Sequence, residues 1–332
     1  MPQKKVLLLT YGNIDHASSR IRGVNHFNRL KADFKTTWVP RVGVHHKRNL
    51  LDRLSFIMLK AYYLVKKYFC IVFCQYDIVF IQILFLPEWM LKMLKGKGTV
   101  ICYDFDDAVY TYSKTDFDRM IKYADKVVIA SPFLGDSFDT KKKDYAVIYS
   151  PVDTDLIVPA NEEHEVFTIG WIGSPWTAQY LQNLEEVFKQ LRQQMNFKLL
   201  VVGAQIKVPG IDVACINWSP ENELSALKKI DVGIMPLPDT DWAKMKGGYK
   251  LFLYLAAGKP VVASPYGING SIVKKDFNGL KATDDKQWIN AFTTLRDDKS
   301  FRIQLGHNAR KDAEQYYSYT NCSQKLFAFL VS

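Results

Sequence analysis

The run Lys246-Gly247-Gly248-Tyr249-Lys250 sets two glycines and two lysines at the start of an apolar helical stretch. The first N–H groups of a helix have no intrahelical partners and carry the positive end of its dipole. Glycine lets the backbone approach a ligand closely, and lysine adds charge, so this is chemistry for a phosphate or diphosphate. A solvated, lysine-rich helix start has the same composition. A second glycine turn, Gly170-Trp171-Ile172-Gly173-Ser174, ends an apolar run, and Ser174 adds a hydroxyl donor. It lacks the full dinucleotide fingerprint, and a Gly173 that merely turns the chain is the plain alternative.

The first half carries two further groups. Asp104, Asp106 and Asp107 crowd the end of a β-rich run. Carboxylates this close require a metal, a basic partner or a raised pKa. Asp104-Phe105-Asp106 also mimics the metal-binding Asp-x-Asp of GT-A glycosyltransferases, which would imply Mn²⁺ or Mg²⁺ on a diphosphate. The alternative is a cluster that caps the next helix and bonds Arg20 or Arg22. The other group is Ser18-Ser19-Arg20-Ile21-Arg22. Ser18 or Ser19 suits a helix cap, and Arg20 or Arg22 could hold an anion beyond the end of the first strand.

Alternating elements position these groups. Strands are expected at Val6–Thr10, Thr36–Val39, Asp77–Gln82, Thr99–Asp104, Lys126–Ala130 and Ala146–Tyr149, with helices at Arg20–Leu30 and Leu86–Leu94. The pattern restarts at Phe167–Gly173. A helix over 177–195 follows, then strands at Phe197–Val202, Val213–Ile216, Val232–Met235 and Pro260–Ala263. Further helices are expected at Glu221–Lys229, Tyr249–Ala257, Lys286–Leu295 and Lys299–Tyr317. This alternation predicts two α/β domains, 1–152 and 153–332, each a parallel sheet flanked by helices, with the last helix crossing back. The acidic stretch to Glu165 reads as the linker. Ligands of such sheets sit beyond the carboxyl ends of the strands, so two facing sheets would put a site in the cleft between them.

The chain has 332 residues, 48% hydrophobic, enough for two ordinary cores. The apolar run at Val6–Thr10 is too short for a signal peptide. Five scattered cysteines, none in a CxxC pair, read as free thiols in a reducing, cytoplasmic setting. The net charge of +10 attracts anions without choosing among them. No helix-turn-helix, RNP or zinc signature supports nucleic acid as the partner. Residues 47–74 interleave Lys47, Arg48, Arg53, Lys60, Lys66 and Lys67 with aliphatic and aromatic residues. This is too charged to span a bilayer but suits peripheral contact with a membrane surface. A core-facing helix with a solvated basic face fits equally.

The stretch from Gly247 to Gly270 resembles the donor-binding half of GT-B glycosyltransferases of family 4, in particular bacterial members of capsule, O-antigen and exopolysaccharide assembly. Gly247, Lys250, Tyr254, Ala256, Ala257, Gly258, Pro260, Val261, Val262, Ser264, Gly267 and Asn269 fit its pattern. The likeness extends to the Gly173 turn, to Phe277–Leu280, Trp288 and Gly306–Arg310, and is strong over 167–317. It implies a GT-B architecture of two Rossmann-like domains. It implies transfer from a nucleoside-diphosphate sugar to a glycan or polyprenyl-linked acceptor, with retention, no essential metal and no other cofactor. Gly173, Ser174, Gly247, Gly248, Lys250, Gly267 and Asn269 would then hold the donor. Arg20, Arg22 and Asp104 would line the acceptor side. Asp106 or Asp107, orienting a sugar hydroxyl, and Lys250, neutralising the leaving diphosphate, would be catalytic. Two departures stand out. Met245 and Leu253 occupy the places of the family's two glutamates, and Ser174, Pro175 and Trp176 those of its arginine and lysine. A catalytically silent nucleotide-sugar-binding protein is therefore the alternative.

Overall fold

The computed structural model describes residues 3–43, 50–160 and 164–332, without the side chains of residues 50 and 51. Lys47 and Arg48 lie outside the described residues. Two compact units emerge: one of 1–150 with 322–332, the other of 151–321.

The first unit holds β1 (Lys4–Thr10), β2 (Phe34–Pro40), β3 (Ile78–Gln82), β4 (Val100–Phe105), β5 (Lys126–Ile129) and β6 (Asp144–Val147). All pair in parallel in the order β2-β1-β3-β4-β5-β6. Its helices are α1 (Asn25–Arg29), α2 (Leu50–Phe73), α3 (Glu88–Gly96) and α4 (Lys114–Tyr123). Leu7, Leu9, Val79 and Ile81 are fully buried, as the continuous apolar runs require of strands covered on both faces.

The second unit holds β7 (Phe167–Ile172), β8 (Phe197–Val202), β9 (Asp212–Ile216), β10 (Val232–Met235), β11 (Val261–Ala263) and β12 (Gly279–Lys281), again all parallel, in the order β12-β11-β10-β7-β8-β9. Around them lie α5 (Ala178–Gln182), α6 (Glu185–Gln194), α7 (Pro220–Lys229), α8 (Asp241–Lys244), α9 (Tyr249–Ala256), α10 (Asn269–Ile272), α11 (Asp285–Asp297) and α12 (Lys299–Asp312). In each sheet the strand order reverses direction beside the first strand, β1 or β7. A crevice opens at such a switch point, beyond the strand ends.

Several expectations need correction. The helix over 177–195 is broken. Leu181 and Leu184 both turn into the core, and their i to i+3 backbone bond (3.1 Å) tightens the chain between α5 and α6. The helix over 20–30 starts as a π-turn, Ser19–Val24, before α1. Neither Ser18 nor Ser19 caps it. Ser18 Oγ donates to Asp106 Oδ2 (2.5 Å), and Ser19 Oγ accepts from the Gly12 N–H (2.9 Å). Strand β12 is too short to show a period, and α4 buries only Phe117 and Met120, so neither could be read from pattern. Residues 151–160 are bound to the second unit. Val152 exchanges backbone bonds with Tyr317 (2.9 Å) and Tyr319 (3.1 Å), and Arg310 donates to the carbonyls of Thr154 (2.7 Å) and Ile157 (2.5 Å).

The last helix, α13 (Tyr319–Val331), starts in the second unit and ends in the first. Its Cys322, Leu326 and Leu330 join Val6, Phe27 and Phe34 in one core cluster. The His26 ring meets Ser323 Oγ at 2.8 Å through Nδ1, and burial lowers that imidazole to about 3, so it is neutral. Leu326 is 1% exposed. Leu326→Ala is expected to destabilise the first unit by about 2–5 kcal/mol, read as a lower urea midpoint.

Candidate functional site

In the second unit, candidate groups gather at the carboxyl ends of β7, β8 and β10. Gly248, the residue that precedes helix α9, is left-handed (φ 74°). Lys250, in the first turn, sends its ammonium over the Trp171 ring, 4.1 Å from the centroid, and donates to Thr177 Oγ1 at 3.2 Å. No carboxylate pairs with it among the described residues. Burial, reinforced by the charge of Lys246, pushes it down to about 7. A side chain at Gly173 would begin 2.5 Å from this ammonium. Gly173 thus keeps the space above Lys250 open.

Three contacts hold this arrangement. A Cβ at Gly203, itself left-handed (φ 88°), would lie 2.2 Å from the Gly173 carbonyl oxygen, so only glycine lets these two turns meet. Strand β10 pairs with β7 only at Ile169 and Gly170. Beyond that point the fully buried Tyr254 of α9 takes over as partner, its phenol oxygen accepting from the Ile172 N–H at 2.8 Å. Gly233 makes room, since a side chain there would begin 2.2 Å from the Tyr254 ring.

The other expected donor residues differ in position. Ser174 is exposed and lies 3.4 Å from Thr177 Oγ1. Gly247 precedes the helix start. Gly267 (φ 54°) runs so close to the Lys244 backbone that a Cβ would lie 2.4 Å from its carbonyl oxygen. Asn269 is fully buried and donates to the Met235 carbonyl at 3.2 Å, holding the end of β10, while its Oδ1 finds no partner. Leu253 is 2% exposed, a core residue of α9.

In the first unit the groups gather beyond β1, β3 and β4. Arg22 and Asp104 are both buried and paired by two bonds, Nε to Oδ2 (3.1 Å) and Nη2 to Oδ1 (2.5 Å). Arg22 Nη1 also donates to the Ile148 carbonyl at 2.8 Å. Burial lifts Asp104 to about 6 while Arg22 pulls it down. The guanidinium thus answers the crowding of acids and occupies both Asp104 oxygens. Arg20 instead donates to the Ile14 carbonyl at 3.0 Å. Asp106 takes the Ser18 bond on one oxygen and leaves the other, buried Oδ1 without a partner. Asp107 accepts from the Ala108 N–H at 3.0 Å. Beside them Gln82 Oε1 accepts from Ser19 Oγ (3.1 Å) and the Tyr11 N–H (3.2 Å). Among the described residues no group of three His, Cys, Asp or Glu side chains could hold a metal ion.

Residues 166–298 match the family described as Glycosyl transferases group 1. None of the curated proteins matches the chain. Solved structures match at the level of fold. Sucrose-phosphate synthase of Thermosynechococcus elongatus is 14% identical, with 98% of each chain covered and a TM-score of 0.72. The HepE protein of Anabaena, in complex with UDP and glucose, is 14% identical over 99% of this chain and 100% of its own, at 0.71. A glycosyltransferase of Rickettsia africae is 16% identical over 99% and 98%, at 0.70. The fold is thus of the GT-B kind, and residues 166–298 within it are similar to the glycosyl transferases group 1.

The match spans Gly173, Lys250 and Asn269. It also spans residues that no local signal marked as part of a site. Thr177 holds the Lys250 ammonium, and Tyr254 fitted the family pattern without any sign that its phenol serves β7. Trp218 stands against Gly203, its Cβ 3.4 Å from where a side chain there would begin, with its indole N–H on Glu223 (2.8 Å). Their roles depend on contacts between distant segments. Tyr254→Phe keeps the ring and strips the Ile172 N–H of its partner. The expected loss is about 1–3 kcal/mol, measured by urea unfolding.

Proposed function

We propose that this protein transfers a glycosyl group from a nucleoside-diphosphate sugar, held by the second unit, to a glycan or polyprenyl-linked sugar acceptor held by the first, in surface polysaccharide synthesis. The observation that carries this reading is the Lys250 ammonium, which lies at the start of α9 under the open Gly173 turn with no carboxylate partner among the described residues. A dianionic diphosphate supplies the missing charge. In the reaction the bond from the sugar's anomeric carbon to the diphosphate breaks. A bond to an acceptor hydroxyl oxygen forms, and the hydroxyl proton passes to the leaving diphosphate. Lys250 and the first N–H groups of α9 stabilise the charge that grows on the leaving diphosphate, commonly a large catalytic term. Retention of configuration and the absence of a metal requirement are part of the proposal. In the first unit, the unpartnered Asp106 Oδ1 is the acceptor atom available to a sugar hydroxyl.

The titration of Lys250 yields a signed test. The free protein holds this amine near pKa 7, and a bound diphosphate raises it. Binding of UDP above pH 7 should therefore take up a proton, and affinity should fall as pH rises from 7 to 9. Calorimetry in buffers of different ionisation enthalpy measures the uptake. Lys250→Met should weaken UDP at least tenfold and abolish the uptake. Unchanged affinity would place the diphosphate elsewhere. Buried Leu253, where the family has a carboxylate, favours a second reading: nucleotide-sugar binding without turnover. UDP-sugar binding with no hydrolysis or transfer across an acceptor panel would select it.

We also propose peripheral membrane contact at the inner face of the cytoplasmic membrane. No described helix is long and apolar enough to cross a bilayer. Yet α2 exposes Ile57 (60%), Met58 (71%), Val65 (66%) and Phe73 (69%), and of its charged residues only Asp52 is acidic, against Arg53, Lys60, Lys66 and Lys67. Apolar groups beside unbalanced cations fit an anionic bilayer. Ile57→Ser/Val65→Ser should lower cosedimentation with phosphatidylglycerol vesicles severalfold and leave UDP affinity unaltered.

A further inference from the structure

Within the first unit a cavity of about 560 Å³ opens between the ends of β1, β2 and β3 and helix α2. Neither Arg22 nor Asp104 lines it. Its polar wall includes Tyr11, Arg41, Lys60, Tyr63, Lys67 and Tyr112. Three cations converge, and among the described residues none of them pairs with a carboxylate. Arg41 stacks on the Tyr11 ring, 5.2 Å from its centroid. Lys67 is held down by burial and by the like charge of Arg41, so these two cations repel each other in the free protein. An anion would remove that repulsion.

The cavity floor is strained. Ile83 follows β3 with φ 62°, a left-handed conformation that a β-branched residue rarely adopts. Its N–H donates to the Asp104 carbonyl at 2.8 Å, which fixes the turn to β4. Strain of this kind persists where the surroundings enforce it, and it clusters at ligand sites. The far edge of the cavity reaches the acidic turn. Burial, and after it the charge of Asp107, raises the Tyr112 phenol, and the Tyr11 N–H bonds Gln82.

We infer that this cavity binds a phosphate or diphosphate group carried by the acceptor, with Arg41, Lys60 and Lys67 as its cationic ligands and the attached sugar directed to the Asp106 turn. The inference rests on the glycosyltransferase reading for the word acceptor. The anion site itself stands on the cavity. Phosphate chemistry of this kind comes from a soluble sugar phosphate or from a polyprenyl diphosphate-linked sugar.

The test is carried out on the Lys250→Met protein, so that pyrophosphate cannot report the other anion site. Inorganic pyrophosphate, titrated by calorimetry, should bind it. Arg41→Gln/Lys67→Gln on that background should weaken binding at least tenfold, with the thermal midpoint showing that the protein is folded. Lys60→Gln, at an exposed helix position, should weaken it about threefold and serves if the double change does not fold. Farnesyl diphosphate binding more tightly than pyrophosphate would identify a lipid-linked source, and equal binding a soluble one. Both support the inference. Absent pyrophosphate binding, binding indifferent to these substitutions, or a loss seen only with phosphatidylglycerol vesicles would overturn it. UDP titration of the unaltered protein tests the nucleotide reading separately, so the two can fail independently.

Discussion

The phenol of Tyr254 accepts a hydrogen bond from the Ile172 N–H at 2.8 Å, where β7 has already parted from β10. A buried backbone donor without a partner is expensive. This single oxygen therefore lets the sheet open at its switch point without leaving the strand end unsatisfied. Four residues upstream on the same helix, Lys250 reaches the Gly173 turn. The helix that closes the gap also supplies the charge, so the position of Lys250 depends on the Tyr254 contact. Glycines at 233, 173 and 203 are the steric conditions for it, each standing where a side chain would meet the Tyr254 ring, the Lys250 ammonium or a neighbouring backbone.

The first unit solves a similar problem with charge. Its strand ends carry a buried carboxylate, Asp104, and a buried guanidinium, Arg22, in two-point contact. Desolvation makes each alone costly, and the pair is tolerated because its geometry is good and Arg22 has a further acceptor in the Ile148 carbonyl. Asp104 is thus spent on structure, which leaves Asp106 as the acid of the run with a free buried oxygen.

Three cations near strand ends pair with no carboxylate among the described residues. Lys250 in one unit and Arg41 with Lys67 in the other are depressed or crowded in the free protein. Folding stability gains nothing from such groups. Between about pH 7 and its unfolded value Lys250 binds fewer protons folded than unfolded, so this group alone makes the free protein more stable as pH rises through that window. Retaining unpaired charge at strand ends is understandable where an anion completes it. That shared property connects the two candidate anion sites.

Eleven of the twelve strands among the described residues were legible, the inner ones most clearly, because parallel strands buried on both faces have a strong local signature. The glycine turns at Gly173 and Gly247–Lys250 were legible as well, since glycine and lysine before a helix are a signal in the local chain. The sequence by itself therefore determined the fold class and marked the glycine and lysine turns of the second half as candidates for an anion. Only tertiary structure decided that Arg22 and Asp104 neutralise each other, 82 residues apart, and that Ser18 serves Asp106 instead of a helix end. It alone assembled Arg41, Lys60 and Lys67 around one cavity and decided which side chains of the last helix, expected to cross back, enter the first unit's core. Periodicity reports which face of an element is buried. It carries no information on which distant group, brought close by the fold, will pay the cost of that burial.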